Sequence, residues 1–241
     1  MDLPDETLKQ FVRHYLVCLQ HATRLPVAGA VARAGAGPAM ATASAPHLPG
    51  VGWLVGALAC VVFALTALLL PDGPATPLAA ACIATMATAW LTGALHERAL
   101  ARSIGAGQDA RTLALLLLLA TKLALLAVLA TGSEAGVLAT LFAAHVVSRL
   151  APLALGHLLQ APGSTDRGGL AVAALWCAPP VVLMVVAGGV GFALLALAAT
   201  VLASFALLRH LRGSAAPGDT GAAQQVAELA FYVGAAVGLG S

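Results

Sequence analysis

Long apolar runs separated by short polar segments dominate the chain from residue 51 onward. A helix of about 20 apolar residues is long enough to cross the roughly 30 Å hydrocarbon core of a bilayer. The runs lack the alternating pattern of transmembrane barrel strands, so helices are the expected spanning element. We predict seven spans, or six if the short last one does not cross: Val51–Leu70, Thr76–Leu95, Leu113–Thr131, Gly136–Leu159, Leu170–Gly188, Gly191–Leu208 and Gln225–Leu239.

The first 50 residues have a different pattern. Between Asp2 and Leu25, apolar residues recur every three or four positions, which is typical of an amphipathic helix lying at a membrane surface. Pro26 ends this helix, and the Ala/Gly/Pro-rich stretch Val27–Gly50 is expected to be a loop, with or without one short helical turn. The predicted fold class is therefore all-α: a single integral membrane domain (1–241) with an N-terminal helix and cytoplasmic loop (1–50) and a transmembrane bundle (51–241).

Composition supports this class and excludes others. The 241 residues are 60% hydrophobic and only 9% charged, which excludes a soluble globule with one core. The net charge of +2, without a basic block, gives no support for nucleic-acid binding. The four cysteines are scattered singly, so neither a disulfide framework nor a zinc site is expected. The polar residues 1–10 predict that no cleavable signal peptide is present.

Basic residues of the predicted loops all fall on one side of the membrane. They occupy the N-terminal region and the even-numbered loops, whereas the opposite loops contain acids such as Asp72 and Glu134 but no lysine or arginine. The positive-inside rule then places the N-terminus and the loop Leu91–Arg111 in the cytoplasm, with the bundle in a bacterial inner membrane.

Charged residues inside the apolar runs are the strongest candidates for chemistry. Lys122 and Arg149 lie within predicted spans, and exposing either to lipid costs roughly 3 kcal/mol on insertion scales. Their natural partners are acids or phosphates. Glu228 lies one turn inside the last apolar segment and needs Lys122, Arg149 or a metal nearby. We predict that all three point into the bundle, near a cytoplasmic half-cavity that also receives Arg24 and His96.

Several motifs, taken in chain order, are similar to the cobalamin synthase (adenosylcobinamide-GDP ribazoletransferase) family. They extend over most of the chain, and the combination of the first and third is specific. The motifs are Thr23–Val27 (TRLPV), Pro46–Gly56 (PHLPGVGWLVG), Leu91–Glu97 (LTGALHE), His145–Arg149 (HVVSR) and Gly218–Tyr232 (GDTGAAQQVAELAFY).

The resemblance implies a magnesium-dependent membrane enzyme. Such an enzyme joins adenosylcobinamide-GDP and α-ribazole, or its 5′-phosphate, and releases GMP; homo-oligomers or other corrinoid-pathway enzymes are possible partners. Carried over onto matching positions, the resemblance implies catalytic roles for His96, Lys122 and Arg149, substrate-binding roles for Arg24, His47 and Ser148, and metal ligation by Glu97, Asp109, Asp219 and Glu228.

One departure from the family pattern leaves alternatives open. After the His-Glu pair the family continues with Asp-Gly-Leu-Ala-Asp-x-x-Asp-Gly, whose acids are the expected metal ligands, whereas here Glu97 runs directly into Arg98–Ala106. The first alternative is therefore a degenerate homologue that binds corrinoid without turnover, because losing metal ligands removes most of a metal-dependent rate. The second is a small membrane transporter or scaffold.

Overall fold

The computed structural model describes residues 3–27, 29, 38–103, 107–212 and 222–240, and within these ranges every regular element is helical. The α-helices, numbered in chain order, are α1 Leu3–Ala22, α2 Pro38–Ser44, α3 Leu48–Leu69, α4 Thr76–Thr92, α5 Leu95–Ser103, α6 Gln108–Gly132, α7 Glu134–Val147, α8 Leu150–Leu158, α9 Arg167–Arg212 and α10 Ala223–Gly238; a 3₁₀ turn, Ala45–His47, joins α2 to α3.

Four helical stretches are long and apolar enough to cross a membrane: Ala39–Leu69, Gln108–Gly132, Glu134–Leu158 and Arg167–Arg212. The pair formed by α4 and α5, bent by 87°, is a fifth candidate if it counts as one span. In the described residues an all-helical fold with four or five candidate membrane-spanning helices is thus confirmed, and the count of six or seven spans stays a prediction.

Helix α9 contains a break that bears on this count. Its 46 residues continue through Pro179 and Pro180, but the backbone leaves the helical region at Gly189, where φ is 85° and ψ is 173°. Only glycine adopts this conformation readily, because a side chain would clash with the backbone. The break falls between the fifth and sixth predicted spans.

Glycines bring α3 and α7 into close contact. A Cβ atom on Gly52 would lie 2.4 Å from the carbonyl oxygen of His145, and one on Gly56 would lie 3.0 Å from that of Phe142. Small residues four apart let helix backbones approach within membranes, where dispersion contacts drive association. This contact fixes the depth of the C-terminal end of α7, which carries His145, and hence the position of Arg149 directly beyond it.

The N-terminal helix packs onto the bundle near its C-terminal end. Cys18, Leu19 and Ala22 are buried in one cluster with Val51, Val55 and Leu91, whereas Leu8, Phe11 and Val12 are exposed. The helix lies within the predicted range Asp2–Leu25. Just after this helix, the Arg24 N–H donates a backbone hydrogen bond of 2.8 Å to the Leu91 carbonyl oxygen. The motif around Arg24 is thereby tied to the end of α4.

Two segments predicted as loops contain helices. Residues Leu95–Ser103 form α5 inside the predicted loop Leu91–Arg111, and Pro38–Ser44 form α2 inside Val27–Gly50. In the first case α4 ends at Gly93, whose φ of 66° is a left-handed C-cap, and the alanine, leucine and arginine residues that follow are strong helix formers. The polar composition of this segment predicted a loop, whereas the helix propensity of its residues accounts for the observed helix.

Candidate active site

A small polar cavity lies where α3, α4, α5, α7 and α10 meet. Most of its lining residues are polar or charged, although four of the five helices are largely apolar: Val55, Thr88, Thr92, His96, Glu97, His145, Arg149, Gln224, Gln225 and Glu228. Polar groups buried in a low-dielectric interior are costly unless they are paired, so such a cluster is a candidate site for function. The structure brings together four predicted site residues here, namely His96, Glu97, Arg149 and Glu228.

Glu228 is the centre of a buried hydrogen-bond network. The Lys122 ammonium donates to Glu228 Oε1 at 2.5 Å, and the Tyr232 hydroxyl donates to the same oxygen at 3.2 Å. His145 Nδ1 lies 3.7 Å from that oxygen, and the Lys122 Nζ lies 5.8 Å from the centre of the Tyr232 ring. Lys122 and Glu228 are 4% and 1% exposed, so each charge depends on the other. The prediction that both residues point into the bundle is confirmed.

Arg149 is buried without an acidic partner. Its residue is 1% exposed, and its guanidinium donates one hydrogen bond through Nη1 to the His145 carbonyl oxygen. Its Nε has no hydrogen-bond partner, and among the described residues no carboxylate lies within ion-pair distance of it. Ser148, which precedes it, is 0% exposed and has an unpartnered hydroxyl. A buried guanidinium of this kind is stabilised by an anion, and a phosphate fits its planar donor geometry.

His96 and Glu97 enter the cavity from the first turn of α5. His96 Nε2 and Glu97 Oε2 are both buried atoms without a hydrogen-bond partner. The chain bends by 87° between α4 and α5, and His96 and Glu97 line the cavity together with His145 of α7. The HE pair of the sequence motif is therefore part of the same cavity as Arg149.

The three predicted substrate-binding residues, Arg24, His47 and Ser148, lie outside the cavity lining. Arg24 is exposed, and its Nε would lie 2.7 Å from a Cβ atom on Gly93, so its guanidinium covers the α4–α5 turn next to His96. His47 is buried in an aromatic cluster beneath α1. Its ring centroid lies 5.0 Å from that of Phe11 and 6.3 Å from that of Trp176. Arg24 can reach a ligand at the cavity mouth, whereas the contacts of His47 are those of helix packing.

The predicted metal ligands do not form one cluster. Asp109 is exposed in the first turn of α6, Glu228 is occupied by Lys122, and Asp219 lies outside the described residues. In the described ranges no group of three or more His, Cys, Asp or Glu side chains is arranged to hold a metal ion. Glu97 lines the cavity and has a buried carboxylate oxygen, Oε2, without a hydrogen-bond partner among the described residues.

Sequence reasoning missed three members of this site. The sequence motifs assign no role to His145 and Gln224, which line the cavity, or to Tyr232, which donates a hydrogen bond to Glu228. Gln224, Glu228 and Tyr232 are spaced four residues apart, which places them on one face of α10. That periodicity around Glu228 was the signal that could have identified them.

Fold and cavity together define the class: a helical membrane protein with two buried cations, of which Arg149 lines a polar cavity and Lys122 is paired with Glu228 of its lining. Comparison with known proteins gives the family. Residues 14–106 match the profile described as cobalamin-5-phosphate synthase. No solved structure matches the chain.

Curated relatives cover nearly the whole chain. It is 39% identical to the adenosylcobinamide-GDP ribazoletransferase of Polaromonas naphthalenivorans (strain CJ2), over 95% of this chain and 99% of the relative. It is 40% identical to the protein of the same name from Albidiferax ferrireducens (strain ATCC BAA-621 / DSM 15236 / T118), over 96% of this chain and all of the relative. The chain therefore belongs to the cobalamin-5-phosphate synthase family. The first alignment runs over 276 positions, more than the 241 residues of this chain, so that relative contains segments that are absent here.

Proposed function

We propose that this chain is an adenosylcobinamide-GDP ribazoletransferase. The observation that carries the proposal is the buried Arg149, which has no carboxylate within ion-pair distance among the described residues and lines a cavity with the His-Glu pair of the family motif. A diphosphate substrate supplies the anion that this guanidinium requires. The relatives that share the whole length of the chain have this activity in their names.

The reaction is a displacement at phosphorus. A hydroxyl oxygen of α-ribazole attacks the phosphorus attached to cobinamide, a new P–O bond forms, and the P–O bond to the GMP moiety breaks. Such transfers depend on in-line positioning and on stabilising the charge on the phosphate oxygens. Arg149, which lines the cavity, donates hydrogen bonds to those oxygens. Ser148, its neighbour in the chain, adds a hydroxyl donor, and Lys122, which is paired with Glu228, adds a second positive charge.

His96 is assigned the proton transfer. Its Nε2 has no hydrogen-bond partner in the described part of the chain, and the residue lines the cavity, so this nitrogen is available to accept the proton of the attacking hydroxyl. Glu228 holds Lys122 in place and has the role of a positioning residue, because its Oε1 already accepts from Lys122 and Tyr232. Arg24, which covers the α4–α5 turn, contacts the part of the bound substrate that extends outside the cavity.

Magnesium is part of this proposal. When bound, a divalent cation neutralises charge on the diphosphate and on the leaving GMP. The free oxygen of Glu97 fits such an ion, because magnesium in proteins takes one or two carboxylates and completes its shell with water and substrate phosphates.

We also propose six or seven spans in a bacterial inner membrane, with the N-terminus and α5 in the cytoplasm and α1 at the membrane surface. The break at Gly189 supports two crossings within α9, and the distribution of basic residues supports the orientation. Cysteines introduced at Asp72 and Gly107 should react with a membrane-impermeant thiol reagent from opposite sides. Labelling of both from the same side would contradict this topology.

The activity is tested with purified protein in detergent or nanodiscs. Adenosylcobinamide-GDP and α-ribazole are supplied with magnesium, and adenosylcobalamin is measured by mass spectrometry, with each substrate omitted in turn as a control. We expect product only when both substrates are present. Binding of adenosylcobinamide-GDP without any product would instead support the degenerate homologue, a reading favoured by the missing aspartate-rich stretch.

A further inference from the structure

A second, larger cavity lies at the end of the bundle opposite the candidate active site. Its volume is about 750 Å³, and it lies where the end of α3, the start of α4, the end of α6 and the start of α7 meet. Volumes of about 300–1,000 Å³ are typical of small-molecule sites. Phe63 of its lining and Val55 of the active-site lining are eight residues apart on α3, or about 12 Å along the helix axis. The two cavities are therefore separate sites.

This second cavity combines an apolar interior with negative charge. Phe63 and Val137, which are 4% and 2% exposed, form the buried part of a mostly apolar lining. Asp72, in the turn between α3 and α4, and Glu134, in the first turn of α7, also line it, and both are exposed. Among the described residues of the lining these are the two charged ones, and no lysine, arginine or histidine accompanies them. The acids thus form a rim that favours a cationic group.

The cavity also opens onto the apolar outer surface of α3. Ala64 and Leu68 line it and are exposed, and Leu68 is 79% exposed. Val61, seven residues before Leu68 and therefore on the same helix face, is 55% exposed. Because α3 is long and apolar enough to cross a membrane, this face contacts acyl chains. A lipid chain can therefore enter the cavity directly from the bilayer.

We propose that the second cavity binds a phospholipid with a primary ammonium headgroup, namely phosphatidylethanolamine. An acyl chain lies against the apolar lining, and each methylene that it buries favours binding. The ammonium lies at the rim, where its N–H groups donate to the carboxylates of Asp72 and Glu134. An anionic headgroup would instead be repelled by these two acids. The proposal does not depend on the proposed activity, because the residues assigned to catalysis lie in the other cavity.

The test is native mass spectrometry of the purified full-length protein in a nonionic detergent. The protein is titrated separately with phosphatidylethanolamine and with phosphatidylglycerol of identical acyl chains, and the occupancy of the first bound lipid is measured at each concentration. We expect phosphatidylethanolamine to bind about fivefold more tightly or better, because the two lipids differ only in the headgroup. Equal binding, or tighter binding of phosphatidylglycerol, would overturn the proposal.

Neutralising the rim tests the charge contribution. The double variant Asp72→Asn/Glu134→Gln should reduce the preference for phosphatidylethanolamine to less than about twofold. The matched control Asp109→Asn/Asp166→Asn removes two exposed carboxylates outside the cavity lining and should keep the preference of the unmodified protein. A preference that survives in both double variants, or is lost in both, would contradict the assignment to this cavity.

A tryptophan at the opening tests the contribution of the acyl chain. Ala64→Trp places an indole where the cavity meets the outer surface of α3, and it should weaken phosphatidylethanolamine binding about tenfold or more by displacing methylenes. Ala57→Trp adds the same side chain on the same exposed face, seven residues earlier and outside the lining, and should leave binding within about twofold.

Thermal unfolding in detergent establishes that both tryptophan variants are folded. Should Ala64→Trp not fold, the charge variants decide, because they alter exposed side chains only. Unchanged lipid binding by folded Ala64→Trp overturns the proposal. A dimer in the same spectra that Ala64→Trp abolishes and Ala57→Trp keeps would also overturn it, by assigning the cavity to a second copy of the chain.

Discussion

Breaking the Lys122–Glu228 pair should destabilise the protein more than removing both partners. The pair is 2.5 Å long, and both side chains are at most 5% exposed. Lys122→Met leaves a buried carboxylate without its partner. Protonating a carboxylate with the ordinary pKa of glutamate at pH 7 costs about 3.7 kcal/mol. Glu228→Gln leaves a buried ammonium, whose deprotonation costs about 4.6 kcal/mol on the same basis. Each single change should therefore cost about 3–5 kcal/mol of unfolding free energy, as measured for other buried pairs.

The double variant Lys122→Met/Glu228→Gln contains no unpaired charge and should lose less than about 2 kcal/mol, since apolar or neutral replacements of a buried pair are often nearly neutral. Unfolding is followed by SDS titration in mixed micelles, and adenosylcobalamin formation is measured on the same samples. We expect stability to recover in the double variant while activity stays low, because Lys122 no longer contributes its charge at the phosphates. Losses that simply add, giving a double variant less stable than either single one, would refute the reasoning.

Three further predictions concern positions around the cavity. Gly52→Ala should lower both stability and activity, because its Cβ would lie 2.4 Å from the His145 carbonyl oxygen, whereas Gly73→Ala, with no atom within 4 Å of its Cβ, should change neither; thermal unfolding and turnover of the two variants check this. Arg149→Lys keeps the charge but loses the planar donor pair, so kcat/KM for adenosylcobinamide-GDP should fall about 10–100-fold, and a rate within threefold of the unmodified protein would exclude a phosphate contact. Tyr232→Phe removes a hydrogen bond of 3.2 Å to Glu228 and should lower the unfolding free energy by about 1–2 kcal/mol, measured in the same SDS titration; no loss would show that this bond contributes nothing.

The fold class and the buried charges could be predicted because lipid restricts the possibilities. Only helices satisfy their own backbone hydrogen bonds in hydrocarbon, and Lys122, Arg149 and Glu228 could not face acyl chains cheaply. Their burial is confirmed. The Lys122–Glu228 pairing was one of the options that the sequence left open, because it depends on the packing of α6 against α10 across 106 residues of chain.

Other features depended on local geometry that hydropathy does not report. The α5 helix follows from the left-handed cap at Gly93, and the inward position of His96 and Glu97 follows from the 87° bend. The packing of His47 against Phe11 and Trp176 required knowing where α1 docks. A motif match identified His47 as a candidate, but motifs do not distinguish a residue that binds substrate from one that positions a helix.

The central claim is that α-ribazole displaces GMP at the phosphate that Arg149 binds in this cavity. It is tested most directly by a single-turnover experiment. GMP release and adenosylcobalamin formation are measured together by rapid quench for the unmodified protein, for Arg149→Ala and for Arg209→Ala, an exposed control at the end of α9. The account predicts one GMP per adenosylcobalamin at equal rates for the unmodified protein and the control, and a rate at least about 100-fold lower for Arg149→Ala. Equal rates for all three proteins would contradict it.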